Sequence, residues 1–207
     1  MSTGPIVVKI GGSLARSSGP LQRILFLLRS ARRGIVVVPG GGEFADAVRS
    51  AQVRFGFDDG AAHRMAILGM HQMGLMLASM VPGLRVCEDL RDIAAGLKAG
   101  ECLVWLPLKE CEGDAVLPQS WEVTSDAIAA RLAERLGRIK VVFVKSRSGG
   151  DDRTAAALAA EGLIDTVAAR IIESAELPFE ALAADEEARL REIFGVSMQV
   201  DVPPRSC

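Results

Sequence analysis

Two glycine-rich segments near the N-terminus have the composition of phosphate-binding loops. The first, Lys9-Ile-Gly-Gly-Ser13, follows a β-branched, strand-like run. The adjacent glycines Gly11 and Gly12 let backbone N–H groups approach phosphate oxygens closely, and Lys9 adds a mobile point charge. Ligands of α/β proteins gather beyond the carboxyl ends of the strands. The segment therefore predicts a phosphate site, with a turn that carries an incidental lysine as the alternative.

The second segment places Gly40, Gly41 and Gly42 after another strand-like run and Pro39. Residues 40–45 also satisfy the dinucleotide fingerprint G-x-G-x-x-A, so a nicotinamide-binding protein is a rival hypothesis. That hypothesis puts the fingerprint after the second strand and leaves the first glycine loop unexplained. Two such loops on neighbouring strands suit two phosphate-bearing ligands that face each other, which favours phosphoryl transfer.

A third segment, residues 121–126, opens a helical stretch that runs to about residue 136. Thr124 or Ser125 is a good N-cap, and Asp126 is an acidic residue in the first turn, where the helix dipole favours it. Asp126 is therefore either a helix-start residue or a carboxylate that orients active-site lysines.

These segments must be positioned by alternating strands and helices. Apolar runs at residues 6–10, 35–38, 84–87, 102–106 and 141–144 alternate with segments of helical period that begin near residues 20, 43, 58, 89 and 125. This alternation predicts an α/β fold with an open, mostly parallel sheet sandwiched between helices. From residue 151 onward the sequence is rich in Ala and Glu and indicates helices, with a last candidate strand at 196–200. We expect a single domain over residues 1–207.

Composition limits the function classes. The 207-residue chain has a net charge of -2 and no tyrosine, which argues against nucleic-acid and membrane partners and favours a small-molecule substrate. Its four cysteines form no C-x-x-C pair, so we assign no metal site and expect reduced thiols in a cytoplasmic protein. No signal peptide is expected at the N-terminus. Methionine-rich helices and 49% apolar residues favour a homo-oligomer.

The three segments together resemble the amino acid kinase superfamily. Val-Lys-Ile-Gly-Gly-Ser, Val-Val-Pro-Gly-Gly-Gly and Thr-Ser-Asp-Ala-Ile-Ala-Ala-Arg-Leu-Ala occur in the family order between residues 7 and 144. The resemblance implies an ATP-dependent, Mg2+-dependent phosphotransferase that acts by in-line transfer. Lys9 would contact the transferring phosphoryl group, and Asp126 would organise the lysines. Gly11, Gly12 and Ser13 would bind the nucleotide phosphates, and Gly40, Gly41 and Gly42 would close over the acceptor.

One small branch of the superfamily is especially similar, that of the aminomethylfuran phosphate kinases of methanofuran biosynthesis. The similarity lies in residues 41–46 and 62–72 and in the short chain. It implies that a phosphomonoester is converted to a diphosphate. Arg49 and Arg64 are candidate anchors for an anionic acceptor, although solvated helix faces explain them equally well. His63 is a further substrate-binding candidate, with a hydrogen-bonded structural histidine as the alternative.

The resemblance ends in the C-terminal part. Family kinases usually carry a second catalytic lysine in a Gly-Met-x-x-Lys motif, but this sequence has no lysine beyond Lys145. Lys145, at the end of a predicted strand, is the best substitute, and Arg147, Arg153 or Arg170 are alternatives. We therefore expect a shortened nucleotide-binding part. Three consequences are open. The protein binds nucleotide in an altered way, it uses another phosphate donor, or it is a kinase fold that binds a ligand or partner subunit without turnover.

Overall fold

A computed structural model gives the structure of residues 4–16 and 18–196. Within these residues the chain forms six β-strands and nine α-helices, each strand being followed by one or two helices, and one 3-10 turn at Gly12–Arg16 follows the first strand. The strands are β1 Ile6–Ile10, β2 Ile35–Pro39, β3 Arg85–Cys87, β4 Cys102–Trp105, β5 Lys140–Lys145 and β6 Phe179–Ala183. The helices are α1 Ser18–Arg29, α2 Gly42–Phe55, α3 Asp59–Met80, α4 Leu90–Lys98, α5 Leu108–Cys111, α6 Ser125–Arg135, α7 Ala155–Ala160, α8 Thr166–Ser174 and α9 Glu187–Phe194.

The strands form one sheet in the order β3-β4-β2-β1-β5-β6, and every neighbouring pair is parallel. The predicted open parallel sheet between helices is therefore confirmed. Strands β1 and β2, which lead into the two glycine loops, lie side by side in the register Ile10 with Pro39. Because parallel strands end at the same edge, both loops lie at one edge of the sheet.

Both faces of the sheet are covered by apolar side chains. Successive residues of a strand point to opposite faces, so the continuous apolar run of β1 contributes to two cores. Val7 packs on the face covered by α4, α6 and α8, while Ile6 and Val8 pack on the face covered by α1 and α9. Burial on both sides explains why β1, β2 and β5 lack the alternating polar pattern of half-exposed strands.

The sequence-based expectation was wrong at one element, the edge strand β6. Residues 179–183, Phe-Glu-Ala-Leu-Ala, contain no β-branched residue and follow an Ala-rich helical region. Pairing with β5 over five residues and burial of Ala181, Leu182 and Ala183 make this segment a strand. Tertiary contacts therefore override the local propensity.

The candidate strand at 196–200 lies, apart from Val196, outside the described residues. In the part of the chain with coordinates, no helix combines the length and hydropathy that a bilayer-spanning segment requires.

Candidate active site

The sheet directs two lysines to the same face. Lys9 shares the orientation of Val7 on β1, and Lys145 shares the orientation of Val141 and Phe143 on the neighbouring strand β5. That face is covered by α6, which begins at the same edge of the sheet. The two ammonium groups therefore meet beneath the first turn of α6.

Asp126, in that first turn, joins both lysines. Its Oδ1 lies 2.9 Å from Lys9 Nζ, and Lys145 Nζ donates to Oδ1 at 2.8 Å and to Oδ2 at 2.7 Å. The three side chains are 5%, 7% and 13% exposed in the order Lys9, Asp126, Lys145. The structure thus brings together the three residues that the sequence suggested as catalytic. Two cations and one anion leave a buried net positive charge at the carboxyl edge of the sheet.

The pKa values in this cluster follow from burial and charge. Burial by itself would raise the pKa of Asp126, but the charges and hydrogen bonds of the two lysines outweigh it and hold that pKa below its ordinary value. Loss of solvent and repulsion from Lys9 lower the pKa of Lys145 to about 8, against the opposing effect of Asp126. Lys145 therefore changes its charge close to physiological pH.

The two glycine loops touch each other through their backbones. A Cβ atom at Gly12 would lie 2.4 Å from the Gly42 nitrogen, and one at Gly40 would lie 2.4 Å from the Gly12 nitrogen. Gly42 also has φ of 52°, a conformation that strongly favours glycine. Glycine at these positions is required so that the loops can meet at the edge of the sheet.

A cavity of about 260 Å³ opens between these loops, residues 42–49 of α2, residues 63–70 of α3 and the first turn of α6. Its wall combines backbone from the glycine loops with polar side chains and an apolar surface. The lining residues that were predicted from sequence are Gly12, Ser13, Gly40, Gly41, Gly42, Arg49 and His63. Burial lowers the pKa of His63, partly offset by a hydrogen bond with the backbone of Ser120, so the imidazole is neutral near pH 7.

Two predicted binding residues lie elsewhere. The Gly11 N–H donates to the Val144 carbonyl at 2.9 Å and holds β1 to β5, so this amide is not directed at a phosphate. Arg64 pairs with Glu112 at 2.9 Å and lines a neighbouring cavity of about 530 Å³. The cavity wall therefore includes the Gly12 end of the first loop and one of the two predicted arginines, Arg49.

Trp121 is a wall residue that the sequence analysis did not single out. Its indole stacks under the Arg49 guanidinium, 4.4 Å from the ring centroid, and its Nε1–H donates to Gln52 Oε1 at 2.5 Å. Both contacts tie the loop before α6 to helix α2. A tryptophan three residues before the predicted N-cap Thr124 was the available signal, but nothing in the sequence places it against α2.

Asp165 was also missed, although it supports the first turn of α6. Its Oδ2 accepts from Thr124 N, Thr124 Oγ1 and Ala127 N at 3.0, 2.6 and 3.1 Å, and its Oδ1 accepts from Ala168 N at 2.6 Å. Burial raises the pKa of this carboxyl, partly offset by those hydrogen bonds. Asp165 therefore caps two helices and fixes the backbone on both sides of Asp126.

The arginines considered as substitutes for the missing lysine lie away from the cluster. Arg147 donates to the Glu161 carbonyl and Arg153 to the Ala181 carbonyl, at 2.6 and 3.4 Å. Arg170, on α8, lines a separate surface hollow. Of the basic residues proposed for this role, Lys145 is the one that contacts Asp126.

The fold and the site identify the class of protein. The model of the amino acid kinase family matches residues 4–167, and the chain belongs to that family. A curated relative, the (5-(aminomethyl)furan-3-yl)methyl phosphate kinase of Methanocaldococcus jannaschii, is 28% identical over 148 residues, which are 71% of this chain and 68% of the relative.

Solved structures show the same fold. Uridylate kinase from Archaeoglobus fulgidus matches with a TM-score of 0.69 and 18% identity, over 94% of this chain and 97% of that one. An isopentenyl phosphate kinase matches with a TM-score of 0.61 and 14% identity, over 93% and 97% of the two chains. The family match supports the kinase hypothesis over the dinucleotide-binding one, and the strand order also differs from the Rossmann order 3-2-1-4-5-6.

Proposed function

We propose that the protein is a kinase that transfers the γ-phosphoryl group of Mg-ATP to a small phosphomonoester. The observation that carries the proposal is the buried Lys9–Asp126–Lys145 cluster beside the glycine-lined cavity. A desolvated cluster with net positive charge is stabilised by an anion, and phosphate groups are the anions that glycine loops accommodate.

The reaction needs little covalent chemistry from the protein. A phosphate oxygen of the acceptor attacks the γ-phosphorus of ATP, the bond from that phosphorus to the β,γ-bridging oxygen breaks, and ADP leaves with the electron pair. The acceptor is a dianion above about pH 6, so no general base is required. Lys9 and Lys145 neutralise the charge that builds on the transferring group, while Asp126 holds both ammonium groups in position.

Magnesium fits this proposal as a companion of the nucleotide. Proteins commonly hold Mg2+ through substrate phosphates and one or two carboxylates. Asp126 is already engaged by two lysines, so the phosphates of ATP are the better ligands here. The proposal retains one domain whose C-terminal nucleotide-binding part is shortened, and it places the enzyme in the cytoplasm with Cys87, Cys102 and Cys111 as free thiols.

The size of the cavity supports a compact acceptor. Sites for drug-sized ligands usually measure about 300–1,000 Å³, and the cavity here measures about 260 Å³. A phosphate on a single small ring suits this volume better than a nucleoside monophosphate. We therefore infer that the acceptor is (5-(aminomethyl)furan-3-yl)methyl phosphate, the compound in the name of the curated relative, or a close analogue from methanofuran-type cofactor biosynthesis.

The test is a direct assay of phosphoryl transfer. Purified protein with Mg-ATP and the aminomethylfuran phosphate should release ADP, and 31P NMR should show the paired resonances of a new diphosphate. UMP and isopentenyl phosphate serve as competing acceptors and should react at least about tenfold less efficiently. ADP release from none of the three acceptors would contradict the proposed function.

A binding measurement distinguishes the kinase, dinucleotide-binding and non-catalytic hypotheses by the nucleotide that each one predicts to bind. Mg-ATP or ADP should raise the Tm of the wild type but not of Lys9→Ala, which retains the neutral Asp126–Lys145 pair and should remain folded. Stabilisation by NADH alone would support the dinucleotide-binding alternative. Stabilisation by neither nucleotide class would support a binding protein without turnover.

We also infer that the protein is a homo-oligomer, as the exposed face of α3 suggests. Met65, Leu68 and Leu75 are 39%, 40% and 54% exposed. Spacings of three and seven residues place these side chains on one side of the helix. A second copy of the chain is the partner that would cover such an apolar face.

Multi-angle light scattering after size exclusion tests this assembly. The wild type should elute at twice the 22.0 kDa chain mass or more, and the double variant Leu68→Glu, Leu75→Glu should elute as a monomer. A monomeric wild type at micromolar concentration would contradict the proposal.

A further inference from the structure

The charged groups of the cavity do not all have a role in phosphate binding. Arg16, Arg49 and the glycine-loop amides suit an anion. Asp46 does not, and of the described residues that line the cavity it is the only one with a carboxylate. A carboxylate in a phosphate-binding cavity repels the ligand unless a cation, from the protein or from the ligand itself, pairs with it.

Resting on the proposed function, we propose that Asp46 binds a cationic amine of the acceptor and so selects zwitterionic amino phosphomonoesters. The acceptor's phosphate carries up to two negative charges and its ammonium one positive charge, which leaves a net negative ligand. Two arginines and one carboxylate in the cavity wall leave a net positive site. The net charges of the ligand and of the cavity are therefore opposite, and each charged group of the ligand has groups of opposite charge in the cavity wall.

The spacing along α2 fits such a ligand. Asp46 lies four residues after Gly42, about 6 Å along the helix axis at 1.5 Å per residue. A five-membered ring with one methylene on each side spans a comparable distance between its phosphate and its amine. Apolar side chains of Ile67, Met70 and Ile128 also line the cavity and suit the ring itself.

Asp46 can exchange its present partner at low cost. It now pairs with Arg16 at 2.7 Å, and the two side chains are 45% and 63% exposed. Ion pairs at that exposure contribute little to stability because solvent screens them. A substrate ammonium can therefore replace Arg16, which is then available for phosphate oxygens at the end of the 3-10 turn.

The experiment compares two acceptors and three proteins. The acceptors are the aminomethylfuran phosphate and its analogue with a methyl group in place of the aminomethyl group. The proteins are the wild type, Asp46→Asn, and the control Glu43→Gln. The control removes the second carboxylate of α2, which does not line the cavity. The readout is the ratio of kcat/KM for the amine to kcat/KM for the analogue.

We expect a ratio of about 10–100 in the wild type and Glu43→Gln, as for the loss of one charge-assisted hydrogen bond. In Asp46→Asn the ratio should fall to about one. In Asp46→Asn, Arg16 is released with either acceptor, so its release cancels in the ratio of that variant. Equal use of both acceptors by the wild type would overturn this inference alone, as would an unchanged ratio in Asp46→Asn. Turnover of neither acceptor would overturn the proposed function together with it.

Discussion

Replacing Asp126 with asparagine should lower kcat/KM by at least about a hundredfold, because two ammonium groups lose the anion that holds them. An asparagine Oδ1 can still accept from both ammonium groups, but it carries no negative charge, and the amide NH2 replaces the Oδ2 that accepts from Lys145. Lys9 and Lys145 would repel each other, move apart or lose a proton, and the transferring phosphoryl group would lose its paired cations.

The same change removes one partner of a buried ion pair, which costs about 3–5 kcal/mol in the free energy of unfolding. Stability therefore has to be separated from catalysis. Asp114→Asn is the matched control, since this carboxylate is also 7% exposed and pairs with Arg131 at 2.8 Å, outside the lining of the cavity. Urea titration gives the stability of each variant, and activity is then measured where both are folded.

Asp114→Asn should lose stability but keep its activity within about threefold. Asp126→Asn should lose both. If Asp126→Asn retained kcat/KM within tenfold of the wild type, or if Asp114→Asn lost as much activity, Asp126 would be no more than a helix-start residue.

The sheet was predictable because its strands carry strong local signals. Strands β1, β2 and β5 are short β-branched runs, buried on both faces, and each is bounded by glycine, proline or a charged loop. Strand β6 carries no such signal, because its extended conformation comes from pairing with β5 and not from the β-propensity of its own residues. Edge strands of this composition need the tertiary structure to be recognised.

The Lys9–Asp126–Lys145 cluster was predictable for a similar reason, but part of the cavity wall was not. Lys9, Asp126 and Lys145 stand at element ends, where chain order and parallel topology bring the residues to one edge. Asp46, Trp121 and Asp165 act through contacts between distant elements. The partners of Trp121 are about 70 residues away in sequence, and no local pattern encodes which helix face a loop will meet.

Replacing Lys145 with methionine should reduce kcat/KM by roughly a hundred- to a thousandfold, as expected for loss of one charged group that faces the transition state. The remaining Lys9–Asp126 pair is neutral, so the fold should persist. Lys140→Met is the control, because it removes a lysine from the other end of the same strand, where Lys140 pairs with Glu180 at 2.6 Å.

The pH dependence identifies the charge on Lys145 as the requirement. With the pKa of Lys145 lowered to about 8, kcat/KM of the wild type should fall as the pH rises through 8, since kcat/KM reports groups of the free enzyme. Lys145→Arg keeps its charge to above pH 12, so any activity that it retains should not decline over that range.

The direction in which stability changes with pH excludes unfolding as the cause of the alkaline fall in kcat/KM. Between pH 8 and the unfolded value of 10.5, the unfolded chain binds more protons at Lys145 than the folded chain does. The contribution of this residue to the free energy of unfolding therefore rises with pH over the window in which activity falls. An alkaline decline that coincides with falling stability, or that persists unchanged in Lys145→Arg, would assign the titration to another group. If Lys145→Arg abolishes the alkaline decline, Lys145 is the functional replacement for the second lysine that family kinases usually carry and this sequence lacks.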